Sequence, residues 1–167
     1  GVKPDIVTMA KGLGNGYPLG AVITTREIAN SMRGRVHFNT FGGNPVAMAA
    51  GCAVLDTLEK ENLSENAFTV GSYLKEKLLA LKDKYPIVGD VRGMGLMLGV
   101  ELVKDKTSKE PAPDYLLTVL EAAKDRGVLL GKGGMLGNTI RIKPPLCFNR
   151  ENADLLLHVL EDSLKQI

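Results

Sequence analysis

The sequence predicts an α/β protein in which helices and strands alternate along one chain. Apolar residues recur at helical spacing in five segments and at strand spacing in six shorter ones. Glycine and proline stand between most of these segments, where one element ends and the next begins. With 167 residues, 44% of them hydrophobic, the chain is long enough to bury a core of its own.

The first two predicted strands flank a glycine-rich loop. Residues 5–10 and 20–24 are apolar runs typical of strands, and the loop between them opens with Lys11. A short helix is predicted over residues 26–32. An irregular connection is expected at residues 33–41.

A helix is predicted to begin at Asn44-Pro45 and to run to about Lys60. Asn44 can accept a hydrogen bond from a free amide of the first turn, and Pro45 suits the first helical position because its missing N–H costs nothing there. A second helix, at residues 64–84, carries one apolar face. That face consists of Val70, Leu74, Leu78 and Leu81.

The second half begins with two predicted strands, at residues 87–91 and 95–103. The latter alternates strictly between apolar and polar positions, which is typical of a half-buried strand. A polar surface loop is expected at residues 104–113. Asp114 is predicted to cap the next helix, which Gly127 ends.

The last part is expected to contain two strands and a helix. The strands are predicted at residues 128–130 and 139–142, with residues 131–134 as a glycine-rich turn between them. The final helix should run from about Asn149 to the end, with leucines along one face.

Lys11 is the first candidate for chemistry. A lysine between two strands of buried type is expected to be partly desolvated, and desolvation favours the neutral amine that attacks a carbonyl. A solvated loop lysine is the alternative. The glycines at 12, 14 and 16 fit a dinucleotide-binding fingerprint poorly, because their spacing is G-x-G-x-G and Pro18 follows.

Four motifs, in order along the chain, resemble those of one family. They are Thr8–Gly20 around the lysine, His37–Pro45, Gly89–Glu101 and Ile140–Pro145. Together they resemble the class III (subgroup II) pyridoxal-phosphate-dependent aminotransferases, and within them the alanine–glyoxylate branch. The resemblance implies the C-terminal part of a fold-type I transferase, an enzyme much longer than this chain.

The resemblance also implies a domain division and a cofactor. Residues 1–60 would be the end of the large cofactor-binding α/β domain, and residues 61–167 a small C-terminal α/β domain. Pyridoxal 5′-phosphate would be the cofactor, and the enzyme would act as a homodimer. This fragment alone is expected to be inactive, because upstream cofactor contacts would be missing.

Three residues match functional positions of the family. Lys11 matches the Schiff-base lysine, which also moves the substrate proton. Thr40 matches a threonine that reaches the cofactor phosphate of the neighbouring subunit, although an ordinary turn threonine is the alternative. Arg141 matches the arginine that holds the substrate carboxylate.

The strand pattern bears on two arginines. Arg141 stands between Ile140 and Ile142, so its side chain should point away from theirs. A guanidinium can grip a carboxylate with two parallel hydrogen bonds, although an exposed strand arginine is the alternative. Arg92 also matches a family position, and we interpret it as a structural ion-pair residue.

The implied reaction moves an amino group from an alanine-like amino acid to a glyoxylate-like 2-oxo acid. One alternative is an ω-aminotransferase for ornithine, 4-aminobutyrate or another amine. A second alternative is a non-catalytic homologue that dimerises or binds, which has little need of the Lys11 amine. By resemblance the enzyme would be mitochondrial.

Composition narrows the remaining possibilities. A net charge of +2 gives no reason to expect nucleic-acid binding, and no apolar run approaches the length of a membrane span. No residues have metal-ligand spacing. Cys52 and Cys147 lie far apart and are expected to be buried free thiols.

Overall fold

A computed structural model describes the whole chain, Gly1–Ile167. The chain divides into two compact units, Gly1–Asn62 and Leu63–Ile167. The first contains a two-stranded sheet and the second a four-stranded sheet, each accompanied by helices. The predicted α/β class is confirmed. None of the helices combines the length and the apolar character needed to cross a bilayer.

The first unit is built around an antiparallel pair of strands. Strand β1 (Ile6–Met9) pairs with β2 (Ala21–Thr24). The loop between them starts with a short 3₁₀ helix, Lys11–Gly14. Helix α1 (Arg26–Asn30) follows, capped by the hydroxyl of Thr25. The predicted strands and short helix are therefore confirmed.

Helix α2 (Pro45–Lys60) completes the first unit and starts as the sequence predicts. The side chain of Asn44 accepts a hydrogen bond from the Ala47 amide at 2.9 Å. The helix packs on the glycine-rich loop, and Gly51 allows this approach. A Cβ at Gly51 would lie only 2.7 Å from the Leu19 side chain.

The two strands beside Lys11 differ from expectation, because their side chains are exposed. Val22 is 67% and Ile23 58% exposed. Among the first 62 residues only Gly14, Ala47 and Gly51 are buried. Helix α2 contacts the 3₁₀ helix, and nothing in this unit covers the strands to a comparable extent. The apolar pattern of the two runs predicts strands correctly, but it does not identify which part of the protein covers them.

The second unit alternates helices with antiparallel strands. Its sheet has the order β3-β4-β6-β5, so β5 is an edge strand. Its elements are α3 (Leu63–Lys84), β3 (Val88–Met94), β4 (Met97–Leu102), α4 (Pro113–Asp125), β5 (Gly131–Gly133), β6 (Thr139–Ile142) and α5 (Arg150–Leu164).

One face of this sheet and the three helices form a continuous apolar core. The strict alternation of β4 is confirmed, since Leu98, Val100 and Leu102 are buried. The predicted apolar face of α3 is confirmed as well. Burying such side chains is the main favourable term in folding, at about 25 cal/mol per Å² of apolar surface. The opposite face of the sheet carries polar side chains, among them Arg92 and Arg141.

Two predicted features of this unit are wrong. Residues 128–130 are not a strand, because the end of α4 holds them: the Val128 amide donates to the Ala123 carbonyl across Gly127, whose φ is +80°. The strand is instead the glycine segment Gly131–Gly133, which pairs with β6. Asp114 does not cap α4, because Pro113 is the first helical residue and the Asp114 carboxylate binds Lys104 at 2.5 Å.

Candidate active site

Lys11 occupies an unusual backbone conformation at the start of the 3₁₀ helix. Its φ is +53°, in the left-handed region that few residues other than glycine adopt. The preceding Ala10 is extended, and two amide–carbonyl hydrogen bonds close the turn, from Leu13 to Ala10 and from Asn15 to Gly12. Uncommon backbone conformations of this kind concentrate at functional sites.

The side chain of Lys11 is exposed, so the predicted desolvation by its flanking strands is wrong for this chain. The reason is the exposure of those strands themselves. Lys11 takes part in none of the salt bridges of the chain. Its amine therefore remains available to a ligand.

Thr40 lies in a tight turn that leads into α2. Asn39 shapes this turn: its side-chain oxygen accepts from the Phe41 amide at 3.3 Å, and its carbonyl accepts from the Gly42 amide at 3.1 Å. Gly43 adopts φ +68°, which explains a glycine there. Thr40 itself is exposed. The turn thus presents the Thr40 hydroxyl to solvent, while Asn39 has a local structural role.

Arg141 projects from β6 on the face of the sheet opposite the core. Its neighbours Ile140 and Ile142 are buried and Arg141 is exposed, so the predicted orientation is confirmed. Its partner in β4 is Gly99 and its partner in β5 is Gly131. Arg141 therefore stands on the sheet between two residues that have no side chain.

The Arg141 guanidinium lies over the edge strand. A Cβ at Gly131 would come within 3.0 Å of Nε and 3.2 Å of Nη2 of Arg141. Beside it is a cavity of about 470 Å³ whose lining includes Arg141, Lys143 and Asn152 but no aspartate or glutamate. Two cationic side chains in a cavity without acidic residues favour an anionic ligand.

Arg92 lies in the same row of the sheet, because it pairs with Gly99 from the other side. It binds Asp90 at 2.9 Å and Glu101 at 2.5 Å, which confirms its predicted role as an ion-pair residue. The hydrogen bond from Arg92 lowers the pKa of Asp90, and the same bond raises the pKa of Arg92. Arg141 forms no salt bridge, so it is the arginine of this row with its charge free for a ligand.

Both cysteines depart from expectation in their exposure, and one buried threonine lacks a hydrogen-bond partner. Cys52 and Cys147 are free, as predicted, but both are exposed. Thr139, two residues before Arg141, is buried, and its hydroxyl oxygen has no hydrogen-bond partner. No three His, Cys, Asp or Glu residues gather where they could hold a metal ion.

The sequence predicts a turn at Gly131, whereas the structure places this residue in strand β5. One sequence feature could have indicated its role: Gly131 and Gly133 alternate, so they lie on the same face of one strand, next to the strand that carries Arg141. That signal becomes interpretable only once the register between β5 and β6 is known. Lys11 and Thr40 belong to the first unit, and Arg141 and Gly131 to the second.

Two curated proteins similar to this chain are named as alanine–glyoxylate aminotransferases. The alanine–glyoxylate aminotransferase 2 homolog 2 of Arabidopsis thaliana, described as mitochondrial, is 58% identical over 99% of this chain and 35% of its own length. The human mitochondrial alanine–glyoxylate aminotransferase 2 is 49% identical over 99% of this chain and 32% of its own length. The chain therefore spans about a third of the length of these relatives.

Two solved structures have the same fold. A phospholyase from Arthrobacter, in complex with phosphoethanolamine, superimposes with a TM-score of 0.96 at 42% identity, covering 99% of this chain and 40% of that one. An amine transaminase from an uncultivated Pseudomonas species, in its PLP-bound form, gives a TM-score of 0.89 at 38% identity, covering 98% and 38%. The sequence profile of the aminotransferase class-III family matches residues 1–164. This chain belongs to the class-III aminotransferase family.

Proposed function

We propose that this chain is the C-terminal part of a pyridoxal-phosphate-dependent aminotransferase. The enzyme would transfer an amino group from an alanine-like amino acid to a glyoxylate-like 2-oxo acid. The observation that carries the proposal is the exposed Arg141 guanidinium, free of any carboxylate partner, beside a cavity without acidic residues. The names of the Arabidopsis and human relatives supply the substrate pair.

The two units would have different functions in the enzyme. Residues 1–60 form the end of the large cofactor-binding domain, and residues 61–167 form the small domain that binds the substrate carboxylate. The separation of the chain between Asn62 and Leu63 supports this division. Since the chain spans about a third of its relatives, residues elsewhere in the protein complete the cofactor site.

The side chains of the first unit fit pyridoxal phosphate. Lys11 offers an exposed amine for the aldehyde group, and Thr40 offers an exposed hydroxyl for a phosphate oxygen. When bound, the cofactor would supply an electron sink that stabilises negative charge at the substrate Cα. In the first half-reaction the Lys11 amine would move the proton from the Cα of the amino donor to the cofactor carbon, and in the second it would move a proton from that carbon to the Cα of the acceptor.

Arg141 would orient the substrate. Two parallel hydrogen bonds from a planar guanidinium hold a carboxylate in one plane, which fixes the Cα of the amino acid relative to the proton-transferring amine. Both the amino donor and the 2-oxo acceptor carry this carboxylate. One arginine would therefore serve both halves of the reaction.

The enzyme would act as a homodimer in which Thr40 reaches the partner's cofactor. Mixing Thr40→Ala subunits with Lys11→Ala subunits tests this arrangement in the full-length protein. If Thr40 acts across the interface, each mixed dimer has one site with both defects and one with neither, so activity returns on mixing. Mixed dimers that stay inactive would contradict the contact.

A phospho-lyase acting on phosphoethanolamine is the second candidate. The Arthrobacter phospholyase supports it with a TM-score of 0.96, and Arg141 with Lys143 could hold a phosphate as well as a carboxylate. An ω-aminotransferase is a further alternative, since the PLP-bound relative is an amine transaminase. A non-catalytic homologue would lack any turnover.

One assay separates these candidates. The purified full-length protein is supplied with pyridoxal phosphate and, in parallel reactions, with alanine plus glyoxylate, phosphoethanolamine alone, or 4-aminobutyrate plus pyruvate. We expect pyruvate and glycine from the first mixture. Release of inorganic phosphate from phosphoethanolamine would favour the phospho-lyase instead. Turnover of 4-aminobutyrate with pyruvate alone would favour the ω-aminotransferase.

The mitochondrial location of the relatives extends to this protein as part of the proposal. A fluorescent fusion of the full-length protein should co-localise with a mitochondrial marker. A diffuse signal throughout the cell would contradict it.

A further inference from the structure

Arg141 depends on a neighbouring strand for the position of its guanidinium. Strand β5 lies next to β6 at the edge of the sheet, and Gly131 stands directly opposite Arg141. The arginine side chain extends over Gly131, where a Cβ would be only 3.0 Å from Nε and 3.2 Å from Nη2, and 3.3 Å from the carbonyl oxygen of Arg141. Any side chain at position 131 would therefore displace the guanidinium.

The glycine is not required by the backbone. Its φ lies outside the left-handed region that favours glycine. Other glycines of this segment differ in this respect, because Gly134 adopts φ +78° and Gly137 φ +66°. The space over Gly131, and not the conformation of its backbone, is what an alanine there would change.

Gly133 offers a matched comparison on the same strand and the same face. A Cβ there would lie 3.4 Å from the Cβ of Arg141 and 4.0 Å from its Cδ, which is ordinary van der Waals contact. It would touch the aliphatic stem of the arginine and leave the guanidinium free. Gly131 and Gly133 thus face opposite ends of one side chain.

We propose that Gly131 is a positioning residue for substrate binding: because it has no side chain, the Arg141 guanidinium can lie over β5 in the orientation that holds a substrate carboxylate. The inference rests on the proposed function, in which Arg141 binds that carboxylate. An added methyl group at position 131 moves Nε and Nη2 by a few tenths of an ångström. A guanidinium that must form two parallel hydrogen bonds to a carboxylate tolerates such a displacement poorly.

The test uses four versions of the full-length enzyme with bound cofactor: wild type, Gly131→Ala, Gly133→Ala and Gly131→Ala in an Arg141→Lys background. A misplacement of 1 Å can lower rates by about 10²-fold, so the smaller shift should raise KM for alanine and for glyoxylate about 3- to 10-fold in Gly131→Ala. Gly133→Ala should match wild type. In the Arg141→Lys background the Gly131→Ala change should have no further effect, because the guanidinium that it displaces is absent.

A crystal structure of Gly131→Ala supplies a readout independent of activity. We expect a displaced guanidinium, an unchanged backbone and a melting temperature close to that of wild type. Two results would overturn the inference without affecting the proposed aminotransferase function. One is equal KM values in the two glycine variants, and the other is a Gly131→Ala effect that persists in the Arg141→Lys background. A wild-type enzyme without activity on any 2-oxo acid would overturn the proposed function, and this inference with it.

Discussion

Lys11 joins a reactive group to an uncommon backbone conformation. In the full-length protein, Lys11→Ala should lower transamination by roughly 10³-fold or more, because both attachment to the cofactor and proton transfer depend on one amine. The change leaves the backbone cost of φ +53° unaltered, since alanine and lysine share it. Fold and stability should therefore stay near wild type.

The measurement is single-turnover kinetics with alanine, together with the melting temperature. Lys3→Ala is the matched control, because it removes another exposed lysine just before the same strand. Near-normal turnover by purified Lys11→Ala protein would show that Lys11 is not the catalytic amine. An equal loss in both variants would point to a general effect of charge.

The Asp90–Arg92 pair makes a pH-dependent contribution to stability. Arg92 lowers the pKa of Asp90 below its ordinary value of 3.8. A group whose folded pKa is depressed stabilises the fold above its unfolded pKa, and that stabilisation disappears as the pH falls through the folded pKa. The pair is half exposed, so solvent screening limits it to about 0.5–1 kcal/mol.

Asp90→Asn should therefore reduce the free energy of unfolding by about 0.5–1 kcal/mol at pH 7, and by progressively less below pH 3.8. Urea denaturation at several pH values measures this difference. Asp83→Asn, at an exposed aspartate outside the salt bridges, should show little change at any of these pH values. A loss for Asp90→Asn that stays constant with pH would mean that packing, not charge, explains it.

At the scale of elements, the start of α5 rests on a reciprocal pair of side chains. The side-chain oxygen of Asn149 accepts a hydrogen bond from the backbone N–H of Asn152 at 2.9 Å. The side-chain oxygen of Asn152 accepts one from the backbone N–H of Asn149 at 3.3 Å. Such a capping box satisfies two amides that the helix leaves free. Asn149→Ala should lower the free energy of unfolding by about 1 kcal/mol.

Chemical denaturation of the 167-residue chain tests the cap, with Asn149→Ser as the control. Serine keeps a side-chain acceptor at the same position, so most of the stability should return. If the serine variant lost as much stability as the alanine variant, the asparagine would be stabilising the helix by some route other than the cap.

Local signals determined which elements could be predicted. Asn44-Pro45 gave the start of α2, and the alternation of residues 96–102 gave the buried face of β4. Strand β5 could not be predicted in the same way, because glycines carry no side chains to form an alternating pattern. It exists because β6 offers a hydrogen-bonding edge, which is a relation between distant parts of the chain.

The candidate site shows the same division between local and distant information. The direction of Arg141 follows from its two isoleucine neighbours alone. The exposure of Lys11 cannot be predicted from its sequence neighbours, because it depends on which part of the protein packs against β1 and β2. No local sequence pattern identifies that part. Gly131 required the register of two strands before its relation to Arg141 became visible.

At the scale of the whole molecule, burial is divided unequally between the two units. The second unit holds a continuous core drawn from three helices and the sheet. The first has three buried residues and many exposed large apolar side chains, among them Phe38 at 84% and Phe41 at 80%. Apolar surface on this scale marks an interface in a soluble protein. We infer that the remainder of the protein or a second subunit covers it.

Hydrogen exchange on the 167-residue chain should show this inequality directly. Local opening costs little free energy where few apolar contacts hold the backbone, so amides of β1, β2 and α2 should exchange early. Amides of α3, β4 and α5 should exchange only with global unfolding, because each lies against the core. In the full-length protein, the first unit should gain protection and the second should change little. Equal protection of both units in the isolated chain would mean that the first unit is stable without a covering partner, and the inference of an interface on its exposed apolar surface would fail.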